Sequence, residues 1–100
     1  MELGLLVVRK DYQDALIGLV KAALAQSHNV NIFMTDDGVY HCQNPDFVAL
    51  KDLPDVNISL CERSCQWRDI AEESVPEGIE VGSQLQNSMM HNSADKIIVI

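Results

Sequence analysis

The stretch "LGLLVV", residues 3–8, is apolar at every position and has no period-two alternation. A strand with one wet face alternates apolar and polar residues, whereas a strand covered on both faces does not. The run therefore predicts a buried strand of a parallel sheet. Parallel neighbours need a crossover connection, and the residues for one follow directly. Asp11 is placed to cap a helix, and Tyr12, Ala15, Leu16, Leu19, Ala22 and Ala23 recur at helical spacing, with Lys21 and Gln26 off that stripe. After Ser27, His28 and Asn29, "VNIFMT" predicts a second buried strand that ends at the turn-prone Asp36-Asp37-Gly38. A strand, a helix and a strand in this order form a right-handed crossover unit.

Further along, Pro45 and Pro54 bracket a weak helical pattern at residues 47–51, so a loop with one short helix is expected. "VNISL" is a third strand. From Ser64 to Glu73, Trp67, Ile70 and Ala71 suit the inner face of a helix whose outer face carries Arg68, Asp69, Glu72 and Glu73. Pro76 and Gly78 end it. "GIEVG" is a short fourth strand, Ser83 a helix cap, and Leu85, Met89 and Met90 belong to a helix closing near Asn92. "DKIIVI" supplies a last buried strand. The alternation predicts an α/β fold, a three-layer α/β/α sandwich on a mainly parallel sheet of about five strands. At 100 residues the chain reads as one domain, residues 1–100, able to bury roughly two-thirds of its unfolded surface without staples.

Fifteen acids against seven Lys and Arg leave a formal charge of -8. Such a surface repels nucleic acid backbones and anionic membranes, so neither is expected as a partner. No apolar run approaches the ~20 residues of a membrane span. The first run lacks a preceding basic segment and a small-residue cleavage site, and reads as a strand, not an export signal. Three cysteines in such a chain point to a reducing, cytoplasmic setting with free thiols. No G-x-G-x-x-G follows the first strand, and neither G-x-x-x-x-G-K-[ST] nor G-x-S-x-G occurs, so no cofactor is expected.

Sites in open parallel sheets form beyond the carboxyl ends of the strands, where helix N-termini present unpaired amides. Residues 9–14, 35–42 and 60–65 reach that edge. Cys61 stands at a strand end, where the following helix, aided by Arg63 or Arg68, favours thiolate over thiol, and Glu62 opposes it. Free cysteine is also among the most buried residue types and packs as a small hydrophobe. Both readings of Cys61 stand. Cys65, one turn on, shares a face with Cys61 if the helix starts there, and is either a resolving thiol or a packing residue. Its i, i+4 spacing is poor disulfide geometry and differs from the redox C-x-x-C. His41, Cys42, Cys61 and Cys65 add up to four ligands on paper but match no zinc spacing, so no metal is expected. Asp36-Asp37 with His41 reads as a turn beside a solvated histidine, and Met89-Met90 as core filler.

Taken in order, the first helix "YQDALIGLVKAALAQ", then "VNIFMTDDGVY", "ISLCERSCQWRDI", "EGIEVGS" and "ADKIIVI" resemble the DsrE/DsrF-like family of small sulfur-relay proteins, to which the TusD subunit of a tRNA-thiolation relay belongs. The resemblance implies a persulfide on the cysteine after the third strand, which here is Cys61. Cys65 would resolve or shield it, Arg63 would assist, and Asp37 and Gly38 of the "DDGVY" segment would sit at the pocket. It also implies a homotrimer or hexamer with the cysteine near a subunit boundary, and sulfur donor and acceptor proteins as partners. Members are often longer between the second and third strands, so this chain is a compact version. The alternative is a non-catalytic oligomeric scaffold of the same fold, with structural cysteines and an acidic surface for a basic partner.

Overall fold

The two leading apolar runs lie side by side in the computed structural model, which describes residues 1–100. β1 (Glu2–Val7) pairs in parallel with β2 (Asn29–Met34), in register from Glu2 with Asn29 to Val7 with Met34. β3 (Val56–Cys61) and β4 (Ile79–Gly82) extend the sheet on one side and β5 (Lys96–Val99) joins β1 on the other. The order is β4-β3-β2-β1-β5, and every pairing is parallel. The expected α/β architecture is therefore present, with five strands.

The two faces of the sheet are unequal. One carries the larger core, in which Leu3, Leu5 and Val7 of β1, Val30, Ile32 and Met34 of β2, and Ile58 and Leu60 of β3 meet Leu16 and Val20 of α1 (Gln13–Ala25). Leu16 and Val20 are fully buried, and each such burial stabilises the fold by about 1.5–3 kcal/mol. The short α2 (Pro45–Val48) adds Phe47 to the same core. The opposite face holds a small cluster of Phe33, Cys61 and Met90, the last from α4 (Gln84–Ser93), with Leu6 and Ile97 beside it. Asn57, Ser59 and Glu80 fall on this second face by strand alternation, since Val56, Ile58 and Ile79 point to the first.

Several sequence expectations shift. The first helix is capped not by Asp11 but by Tyr12, which takes a left-handed turn (φ 60°) with no side-chain cap bond. Residues 36–43 form a 3₁₀ helix, Asp36–Gln43, in place of a turn and loop. The helix expected from Ser64 to Glu73 is α3 (Glu62–Gln66), five residues long. Ile70 N–H bonds Cys65 O (3.0 Å) and Asp69 N–H bonds Gln66 O (3.3 Å), with Asp69 left-handed at φ 55°. This closure ends the helix and folds Ile70 into the core, while Trp67 is left 73% exposed. β5 pairs only with β1 and is an edge strand with Val99 exposed, not a buried one. Ser83 is the expected cap of α4, reinforced by Gln86 in a capping box.

Candidate active site

β3 and β4 are neighbours whose continuations part. After β3, α3 sends Cys65 to the larger core, and after β4, α4 sends Met90 to the opposite face. A parallel sheet opens a crevice at such a point, beyond the carboxyl ends of its strands. A cavity of about 540 Å³ occupies it, walled by Thr35 and Asp36 after β2, by Cys61, Arg63, Ser64 and Trp67, and by Ser83, Gln84 and Leu85. No helix of the structure is long and apolar enough to cross a membrane.

Cys61 is at the floor of this cavity, 6% exposed, in the cap position of α3. A polar chain surrounds its sulfur. Gln84 Nε2 donates toward Cys61 Sγ (3.8 Å) and to Thr35 Oγ1 (3.3 Å). Thr35 Oγ1 lies 3.2 Å from Ser64 Oγ, which also accepts from the Asp36 amide at 3.0 Å. Burial alone pushes the Cys61 thiol up. The Ser64 hydroxyl, the amides of Ser64 and Arg63, and the Gln84 side chain together outweigh it and hold the thiol below its ordinary value. Each of these donors bonds the thiolate better than the thiol. The site thus favours the nucleophilic form.

Cys65 lies elsewhere. It belongs to the larger core, on the side of the sheet away from Cys61, and the two sulfurs do not share a face. Burial first, then repulsion from Cys42 and Cys61, push its thiol up to about 11 against a partial offset from Arg68. Cys42 is likewise buried, and burial raises its thiol. All three cysteines are free. His41 is buried instead of solvated: its Nε2 donates to Arg9 O (2.8 Å) and its ring sits 5.2 Å from that of Phe47. Burial lowers its pKa, against the opposing pull of the Arg9 carbonyl and Asp11. His41, Cys42, Cys61 and Cys65 do not converge on a metal position.

Arg63 lines the cavity. Asp37 and Gly38 stand behind the wall. Asp37 Oδ1 accepts from Arg68 Nε at 2.9 Å, and Arg68 in turn donates to Ser64 O at 3.2 Å, which ties the end of β2 to α3. Gly38 is buried, and a Cβ there would overlap the Val7 carbonyl, so only glycine lets this loop cross the end of β1. Thr35, Ser64 and Gln84 were not singled out by the sequence. Thr35 and Ser64 at least occupy strand-end segments that reach the site edge, whereas Gln84 comes from a helix 23 residues after Cys61, beside a serine that signals only a helix cap.

A family model described as the DsrE/DsrF-like family matches residues 1–100. No curated protein matches the chain. Among solved structures, the YchN protein from E. coli aligns over 100% of both chains with a TM-score of 0.75 and 17% identity. MTH1491, a protein of unknown function from Methanobacterium thermoautotrophicum, aligns over 99% of this chain and 98% of its own, with a TM-score of 0.79 and 16% identity. At these identities the two structures establish a shared fold.

Proposed function

The chain belongs to the DsrE/DsrF-like family, and on that premise we propose that it is a sulfur-relay protein whose Cys61 accepts sulfane sulfur as a persulfide and passes it to an acceptor protein thiol. The observation that carries this reading is the environment of Cys61: a thiol held below its ordinary pKa at the floor of an open cavity, with donors from the ends of β3 and β4 around it. The Cys61 thiolate attacks the outer sulfur of a donor persulfide. The donor S–S bond breaks, its inner sulfur leaves as a thiolate, and Cys61 becomes the persulfide with no net redox change. An acceptor thiolate then attacks that outer sulfur and returns Cys61 to thiolate. Because the leaving group is itself a stable sulfur anion, no further acid or base is needed.

Trp67 and Leu85, 73% and 62% exposed, flank the cavity. A pair of uncovered apolar side chains at the mouth suits a protein-borne thiol better than a small solute. Self-association as a trimer or hexamer belongs to the same reading, supported by Met89 and Val99, both exposed, on the sheet face that α4 covers. Light scattering of the native protein tests it. Three free thiols fit a reducing setting such as the cytoplasm.

The packing of Cys61 against Phe33 and Met90 favours the second reading, a scaffold with structural cysteines. Labelling with a sulfane donor separates the two. Cys61→Ser should abolish incorporation while Cys65→Ser and Cys42→Ser retain it; undiminished labelling of Cys61→Ser would sink the carrier reading.

A further inference from the structure

Gln84 is an exposed side chain on the first turn of α4, yet its amide lies against the sulfur of Cys61. A free glutamine samples many rotamers, and its two amide atoms have opposite effects on a thiolate: the NH₂ end stabilises the anion and the carbonyl oxygen repels it. Two partners decide between them. Thr35 Oγ1 receives the same Nε2 at 3.3 Å, and Asn87 Nδ2 donates to Gln84 Oε1 at 3.2 Å. Asn87 lies one turn along α4, the spacing at which side chains meet on a helix face. We infer that Asn87 is a positioning residue that, by holding Gln84 Oε1, keeps the Gln84 donor turned toward Cys61; the inference rests on Cys61 being the working nucleophile of the preceding section.

A second feature of Asn87 points the same way. Its own Oδ1 is buried and has no hydrogen-bond partner. A buried unpaired acceptor costs stability, and an apolar side chain at this half-buried position would avoid it. The use of the amide is therefore in its other end, the donor aimed at Gln84. The base of α4 is rigid enough to transmit this, because Ser83 Oγ accepts from the Leu85 amide (3.2 Å) and Gln86 Oε1 from the Ser83 amide (2.6 Å). Asn87 makes no hydrogen bond to Cys61 itself. Its effect runs through Gln84, with Thr35 as the second anchor.

The test is the pH profile of Cys61 alkylation by iodoacetamide, read on the Cys61 peptide, in Asn87→Ala, Gln84→Met and the double variant. Gln84→Met alters an exposed side chain and keeps the outcome readable whatever Asn87→Ala does to folding. A weak donor at this distance is expected to shift the midpoint up by about half a unit when lost, and so to lower the thiolate fraction at neutral pH about threefold. Asn87→Ala should give most of the Gln84→Met shift, and the double variant should add nothing to it. An unshifted Asn87→Ala, shifts that add, or an unshifted Gln84→Met would each overturn the inference. Sulfur loading of the same variants from polysulfide keeps the two claims apart. Alkylation shifts without any loading would leave Asn87 in its role and remove the carrier function, whereas loading at Cys61 without the shifts would do the reverse.

Discussion

Replacing Ser64 with alanine removes the centre of the polar chain around Cys61. The hydroxyl accepts from the Asp36 amide at 3.0 Å, stands 3.2 Å from Thr35 Oγ1 and is the foremost of the donors that hold the Cys61 thiol below its ordinary value. A hydrogen bond to a charged group contributes about 1.5–3 kcal/mol, and with 1.36 kcal/mol per pKa unit this corresponds to about 1–2 units. Because Cys61 opens onto the cavity, water replaces part of the lost bond, and a rise of about one unit is expected. Tenfold less thiolate is offset by its higher intrinsic reactivity (a Brønsted slope of about 0.4–0.5), so alkylation at neutral pH should slow about three- to fourfold. The folded state lowers this thiol, so its contribution to stability is present above the ordinary value of 9.0 and is lost as pH falls through the folded value. At neutral pH the stability cost of Ser64→Ala therefore comes mainly from the bond lost to the Asp36 amide, about 0.5–1.5 kcal/mol, since Asp36 is exposed on the cavity wall and water reaches the freed amide. Peptide-resolved alkylation from pH 5 to 10, beside urea melts, measures both. An unshifted profile in a folded Ser64→Ala variant would refute the assignment of donors to the sulfur.

Cys65 should behave in the opposite sense: with its thiol raised from 9.0 to about 11, its stabilising effect is complete below 9.0 and disappears as pH rises toward 11. Two units correspond to about 2.7 kcal/mol, so the fall in stability between pH 8.5 and 10.5, followed by urea unfolding, should be visibly shallower in Cys65→Ala. Gly38→Ala drives a Cβ into the Val7 carbonyl and should cost about 3 kcal/mol in the same assay, and a loss below about 1 kcal/mol would contradict that packing. Trp67→Ala should leave the melt within about 0.5 kcal/mol of the parent, since the side chain is 73% exposed, while slowing sulfur hand-off to a protein thiol and not to a small one.

The sheet was legible where one physical signal dominated. An unbroken apolar run marks β1, helical spacing marks α1, and Ser83 marks the start of α4. The inner face of α1 differs from the expected stripe: Tyr12, Ala15 and Ala22 are exposed, and Leu16, Val20 and Ala23 are buried. Misreadings cluster where a tertiary contact overrides a local pattern. Trp67, Ile70 and Ala71 fit a helical face, but Asp69 adopts φ 55° and the chain turns to bury Ile70 instead. "DKIIVI" is as apolar as β1, yet whether a strand lies at an edge depends on sheet order, which no local pattern encodes. The placement of Cys61 at a strand end followed from the end of "VNISL" alone. The polar groups around it did not, because the donors Ser64 and Gln84, and Thr35 that anchors both, come from three separate strand ends that converge only through the crossover topology. That Cys61 and Cys65 face opposite sides of the sheet was equally hidden. The spacing suggests one helix face, but Cys61 still follows the strand's alternation when α3 begins.

The most direct measurement is intact-mass analysis of the native protein after incubation with thiosulfate or polysulfide, with peptide mapping of any sulfur gained. A single added sulfur atom on the Cys61 peptide, removed by a thiol reductant, is the predicted result. A folded protein that gains no sulfur, or gains it on the Cys42 or Cys65 peptide, would contradict the role proposed for Cys61.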